Sequence, residues 1–105
     1  MPQAKTTTKR RSWESIKRTK AKSDERRRAY REAREAFDLA EQVRAARERL
    51  RMTQAELATR IGSTQPAIAR LEGGGVTPSL DTLRRIASAL GLELVVQLRS
   101  RRVAA

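Results

Sequence analysis

The 105-residue chain contains no cysteine and no histidine. Disulfides are therefore excluded, as are the common zinc sites and any nucleophilic mechanism that needs a thiol or an imidazole. Aromatic residues number only three, Trp13, Tyr30 and Phe37. No apolar run approaches the roughly 18 residues of a membrane span. The basic N-terminus lacks the apolar stretch of a signal peptide, so a cytoplasmic protein with no membrane partner is expected. Acidic residues are scarce as well, 12 against 24 Lys and Arg, for a formal net charge of +12. Such a balance points to a polyanionic partner and leaves the fold open. No Walker, Rossmann or metal-ligand spacing is present. Acidic residues such as Glu32, Glu35 and Glu41 sit among arginines at helical spacing, where ion pairing accounts for them. No enzymatic activity, cofactor or metal is expected.

The excess charge is concentrated at one end. Residues 1–37 carry 13 Lys/Arg and 5 Asp/Glu, residues 38–91 carry 8 and 6, and residues 92–105 carry 3 and 1. All three aromatics lie in the first of these segments. The chain thus reads as a basic N-terminal arm, residues 1–36, followed by a mildly basic domain, residues 37–91.

The domain is organised around Thr53–Glu72, TQAELATRIGSTQPAIARLE. Thr53 can cap a helix, and Glu56 three residues later completes a capping box. Leu57, Ala58 and Ile61 repeat on one helical face. Gly62 stops that helix, because glycine alone enters the left-handed region without steric cost. Ser63 and Thr64 offer a second cap, and Pro66 falls in the first turn of the next helix, where a missing N–H matters little. Ile68 and Leu71 continue the apolar stripe, leaving Gln65, Ala69 and Arg70 outside. Two short helices joined in this way form a helix-turn-helix, whose second helix enters the DNA major groove.

That geometry assigns roles. Gln65 suits adenine N6 and N7, and Arg70 suits guanine O6 and N7 or a phosphate. Thr64 can meet a thymine methyl or a phosphate, while Pro66 and Ala69 offer apolar contact to thymine methyls. Gln54 and Ser63, at helix starts, are candidates to hold phosphates, with Arg60 as an electrostatic contributor.

The flanking elements are read in the same way. Residues 1–11 lack apolar periodicity and predict a solvated tail. Residues 12–20 predict a short helix capped by Ser12, with Trp13 and Ile16 on one face. Residues 24–36 predict a longer helix after Ser23, with Tyr30, Ala33, Phe37 and Ala40 on one stripe. No Gly or Pro interrupts the chain from there to Gly62, so this helix can run on into the next. Exposed Trp13, Ile16, Tyr30 and Phe37 are candidate anchors for a protein partner, since such side chains dominate interface energies. Residues 39–50 predict the first domain helix, with Val43, Ala46 and Leu50 inward. Leu80, Leu83, Ile86, Ala87 and Leu90 predict a fourth helix that ends at Gly91. Residues 92–98, LELVVQL, change period and predict a β-strand over Glu93, Leu94, Val95, Val96 and Gln97. One strand needs a partner for its backbone groups, and a second copy of the chain can supply it. Residues 99–105 predict a frayed tail.

The segments TQAELA, STQPAIARLE and PSLDTLRRIASALG together resemble the phage-repressor-like (Xre) helix-turn-helix family over about Leu39 to Gly91. The resemblance implies an all-α bundle in which Arg47 pairs with Glu72 to lock the angle between helices. It also implies a homodimer on a palindromic operator in double-stranded DNA, nucleoid-associated when bound. Arm and strand together resemble HigA-type antitoxins, which repress their own operon and neutralise a RelE/HigB-like ribonuclease toxin. A stand-alone or phage-type repressor, its basic arm following the DNA backbone, is the alternative.

Overall fold

The computed structural model describes residues 2–100, with side chains from Ser12 onward, and every regular element among them is helical. Helix α1 is Pro2–Arg49, α2 is Gln54–Ile61, α3 is Gln65–Glu72 and α4 is Leu80–Ala89. The chain divides into two compact units, Met1–Glu35 and Ala36–Ala105.

The first unit is helical from Pro2, in place of the expected tail over 1–11 and the separate helices over 12–20 and 24–36. The reason is local. Proline is tolerated at a first helical position, and beyond Pro2 nothing breaks the helix, since no further Pro or Gly precedes Gly62. Ser12 and Ser23, expected as caps, lie inside the helix. Trp13, Ile16 and Tyr30 are 61%, 59% and 65% exposed. Lys17 places its ammonium 5.1 Å from the centre of the Trp13 ring, and Arg18 pairs with Glu14 at 3.8 Å.

The second unit has a core. Ala36, Ala40, Val43 and Ala46 line the buried stripe of α1, and small side chains there allow close packing. Val43, Ala46, Met52, Leu57, Ala58, Ile61, Ile68, Leu71, Ile86 and Leu90 form one apolar cluster. Leu57 and Ile68 are its most completely buried members. Each such side chain contributes on the order of 1.5–3 kcal/mol by leaving water. Two expectations about the apolar faces are corrected. Leu50 and Leu80 are about half exposed: Leu50 falls past Arg49, the last residue of α1, where Met52 takes the buried place, and α4 turns Ile86, Ala87 and Leu90 inward. Phe37, a candidate anchor, is 52% exposed.

All four helices end alike. A residue with positive φ follows the helix, and the next N–H reaches back to a carbonyl five residues earlier: Met52 to Arg47, Ser63 to Ala58, Gly75 to Arg70 and Leu92 to Ala87. This is the Schellman closure. Glycine occupies the positive-φ position in three of them, Gly62, Gly74 and Gly91; in the first it is Arg51, at φ 55°. At Gly74 the space is also tight, since a Cβ there would stand 3.3 Å from the Phe37 ring and 3.4 Å from its Cα.

The strand expected over residues 92–98 is not present. A strand takes its ladder from a neighbour, and the described residues hold no second strand. Glu93, Val95, Val96 and Gln97 are exposed and Leu94 is half-buried. Of the tail, Arg99 donates to the Gln97 side chain at 3.5 Å, and residues 101–105 lie outside the described residues.

Candidate nucleic-acid interface

The N-terminus of α2 is fixed by a reciprocal cap. The Thr53 hydroxyl accepts from Glu56 N–H at 3.0 Å, and the Glu56 carboxylate accepts from Thr53 N–H at 3.4 Å. Gly62, Ser63 and Thr64 make the turn. The Thr64 hydroxyl accepts from Ala67 N–H at 3.3 Å, so Thr64 caps α3.

Behind these two helix starts lies an ion pair. Arg47 of α1 donates from Nε to Glu72 Oε2 at 2.7 Å and from Nη2 to Oε1 at 2.8 Å. Its Nη1 donates to the Met52 carbonyl at 2.7 Å. One guanidinium thus joins the end of α1, the turn into α2 and the end of α3. The Glu72 side chain is 3% exposed and that of Arg47 12%. Burial pushes the Glu72 carboxyl up. The hydrogen bonds from Arg47 and Gln54, with the charges of Arg47 and Arg44, outweigh burial and hold it below the usual carboxylate range. The bond to Glu72 raises Arg47 in turn, against the opposing effect of burial.

The pair extends outward to the surface. Gln54 donates from Nε2 to Glu72 Oε1 at 3.2 Å, and Gln65 donates from Nε2 to Gln54 Oε1 at 2.9 Å. A carboxylate only accepts, so Gln54 must present its NH2 to Glu72 and its oxygen to Gln65. Gln65 must then present its own NH2 to Gln54. Its carbonyl oxygen and second N–H remain available to a ligand, one acceptor and one donor. Adenine offers the matching donor N6 and acceptor N7 in the major groove.

The remaining candidates are distributed as follows. Thr64, Gln65, Pro66 and Arg70 are exposed at α3, and Ser63 is exposed in the turn before it. Ala69, four residues after Gln65 on the same face of α3, is half-buried. Gln54, assigned to a phosphate, is half-buried and already bonded to Glu72 and Gln65. Arg60, at the other end of α2, lines an open groove of about 690 Å³ with Arg84, Arg85 and Ser88 of α4. Trp13, Ile16 and Tyr30 belong to the first unit, and Phe37 to the second, beside Gly74. The Gln54 bridge was not foreseen. Glutamine at the first position of both helices was its one visible trace in the sequence. Among the described residues, no group of three or more acidic side chains could hold a metal ion. No helix there is long and apolar enough to cross a membrane.

Comparison with known proteins agrees with this geometry. The chain is 45% identical over 58 residues to an uncharacterized HTH-type transcriptional regulator of Sinorhizobium fredii, covering 55% of this chain and 30% of that protein. It is 49% identical over 51 residues to an uncharacterized HTH-type transcriptional regulator of Methanothermobacter thermautotrophicus, covering 49% of this chain and 74% of that one. The chain therefore spans under a third of the length of the first relative and about three quarters of the second. A family model described as helix-turn-helix matches residues 43–97, from the last turns of α1 through the segment after α4. With the fold, the caps and the Arg47–Glu72 lock in place over the same residues, the chain belongs to the Xre-type helix-turn-helix family.

Proposed function

We propose that this protein is a sequence-specific DNA-binding transcriptional repressor that controls its own operon, with α3 as the recognition helix. The observation that carries this reading is the exposed Gln65 amide, oriented through Gln54 by the buried Glu72–Arg47 pair. An amide held this way meets an adenine edge with little entropy left to lose. Arg70, exposed and with no ion pair among the described residues, suits guanine or a phosphate. Both relatives are named as transcriptional regulators. Two copies joined through residues 92–98, each lending the other a strand partner, would set two α3 helices about one DNA turn apart on a palindromic operator. Exposed Val95, Val96 and Leu98 support that assembly.

The test is operator discrimination. Gln65→Ala is expected to lower binding to the upstream region of the gene by about 1–3 kcal/mol, with little loss on random duplex. An unchanged ratio between the two duplexes would show that Gln65 reads no base.

A second reading concerns the first unit. Trp13 and Ile16 stand exposed three residues apart on α1, as anchors for a protein would. This supports an antitoxin role in which the arm neutralises a RelE/HigB-like toxin. Co-purification of the neighbouring gene product with the parent, and its loss on Trp13→Ala, is the expected result. If the neighbouring product is retained by the variant, or is not a small toxin, the antitoxin reading is wrong.

A further inference from the structure

The family match begins at residue 43, so α1 up to Glu35 has a chemistry of its own. Cations surround this helix, but one face of it carries no carboxylate. At about 100° per residue, the positions within about 40° of Arg27, from Ser12 to Glu35, are Trp13, Ile16, Lys20, Ser23, Arg27, Arg31 and Arg34. Four are cations and none is a carboxylate. Asp24 and Glu35 flank the stripe at roughly 60–80°, and Glu14, Glu25 and Glu32 fall on the opposite side, roughly 140–160° away by the same geometry. Lys20, Arg27, Arg31 and Arg34 make no ion pair among the described residues, as is true of most cations of this segment; Arg18 alone pairs there, with Glu14.

We propose that this stripe is a second DNA-contacting surface, one that binds phosphates without reading sequence. It rests on the reading of α3 only in taking the same ligand. Three of its four cations are arginines, whose planar fork fits a phosphate in a bidentate pair. At 1.5 Å per residue the run from Lys20 to Arg34 is about 21 Å long. That exceeds the roughly 12 Å width of a major groove, so one helix face can reach phosphates on both rims. A membrane surface fits less well. Such a helix needs a broad apolar face, and here Ile16 and Trp13 are the only large apolar residues on the stripe.

The test is the salt dependence of full-chain binding to a duplex of random sequence. Glutamine replaces lysine and arginine with little change in helix propensity. In the variant K20Q/R27Q/R31Q/R34Q, the slope of log K against log salt is expected to fall by about 0.9 for each phosphate contact removed, or roughly 3–4 in all. The off-stripe control K17Q/R18Q/K22Q/R28Q removes the same charge and is expected to leave the slope near the parent value. The single variant R27Q should show one step. If both quadruple variants shift the slope alike, or the stripe variant keeps the parent slope, the proposal is overturned. Failure of the α3 reading is separately visible. The stripe variant should weaken operator and random duplex by one common factor, while Gln65→Ala changes their ratio.

Discussion

From Ser12 to Glu35 every side chain except Ser23 is exposed, yet the backbone is helical throughout. From Ala36 onward the same kind of backbone encloses Leu57, Ile68 and Ile86, none more than 2% exposed. One helix, α1, passes through both regimes. In the first, helix rests on local terms: good helix formers, no breakers, and i,i+4 pairs such as Glu14–Arg18 worth a few tenths of a kcal/mol each. In the second, helix is stabilised by burial, caps and a locked ion pair. Substitutions should therefore register in stability after residue 36 and in binding before it.

The largest effect is expected at the ion pair. Arg47→Ala leaves the Glu72 carboxylate buried, with only the Gln54 amide beside it. Losing one member of a buried pair costs about 3–5 kcal/mol. For a core of this size that is a large share of all its stability. Urea denaturation should show the unit largely unfolded at room temperature. Arg31→Ala, an exposed arginine of the first unit, should shift the midpoint by less than about 0.5 kcal/mol.

The next contrast compares apolar truncations. Leu57, with 0% exposure, becomes a cavity in Leu57→Ala, expected to cost about 2–5 kcal/mol. Ile16→Ala removes a side chain of similar volume that is 59% exposed. It should leave the thermal midpoint within a degree or two, on the order of 0.5 kcal/mol or less. A comparable loss at Ile16 would show that the first unit has a core of its own.

Acid should separate the regions too. The Glu72 carboxyl is held below its ordinary value in the folded state. Its contribution is complete above the unfolded value, about 4.3. It is lost as pH falls from there through the folded pKa, because the unfolded chain binds the proton first. Stability measured in urea from pH 6 down to pH 3 should decline, and Glu72→Gln should flatten that decline while starting from a lower plateau.

Much of this was readable in the sequence where one residue type has one local task. Thr53 with Glu56, Gly62, and Thr64 before Pro66 act within four residues of themselves, and the structure shows each cap and stop. The Arg47–Glu72 contact spans 25 positions, and only the family resemblance pointed to it. The Gln54 bridge depends on where two helix starts meet in space, which no periodicity reports. Leu50 continues the periodicity of α1 in the sequence, yet the helix ends at Arg49 and the buried place after it goes to Met52, which the period of one helix does not report. The expected break near residue 20 failed because caps such as Ser23 start helices only where something else has ended the previous one.

The smallest prediction concerns the end of α1. Sequence reading places glycine after α2, α3 and α4, and the structure puts Gly62, Gly74 and Gly91 at positive φ. The same closure after α1 is made with Arg51 at φ 55°, where an L side chain crowds the carbonyl that follows. The closure survives because Met52 is anchored: its N–H bonds to Arg47 O at 3.1 Å, and its carbonyl accepts from the Arg47 guanidinium at 2.7 Å. Arg51→Gly relieves about 1–2 kcal/mol of left-handed strain and returns part of it as added freedom in the unfolded chain. A net gain of about 0.5–1 kcal/mol is expected, read as a higher urea midpoint at unchanged m. Arg51→Val should move the other way by a larger amount, since β-branching tolerates this region least. If Arg51→Gly is destabilising, the exposed arginine must contribute through its side chain, and the likeness among the four helix ends would be one of hydrogen bonds alone.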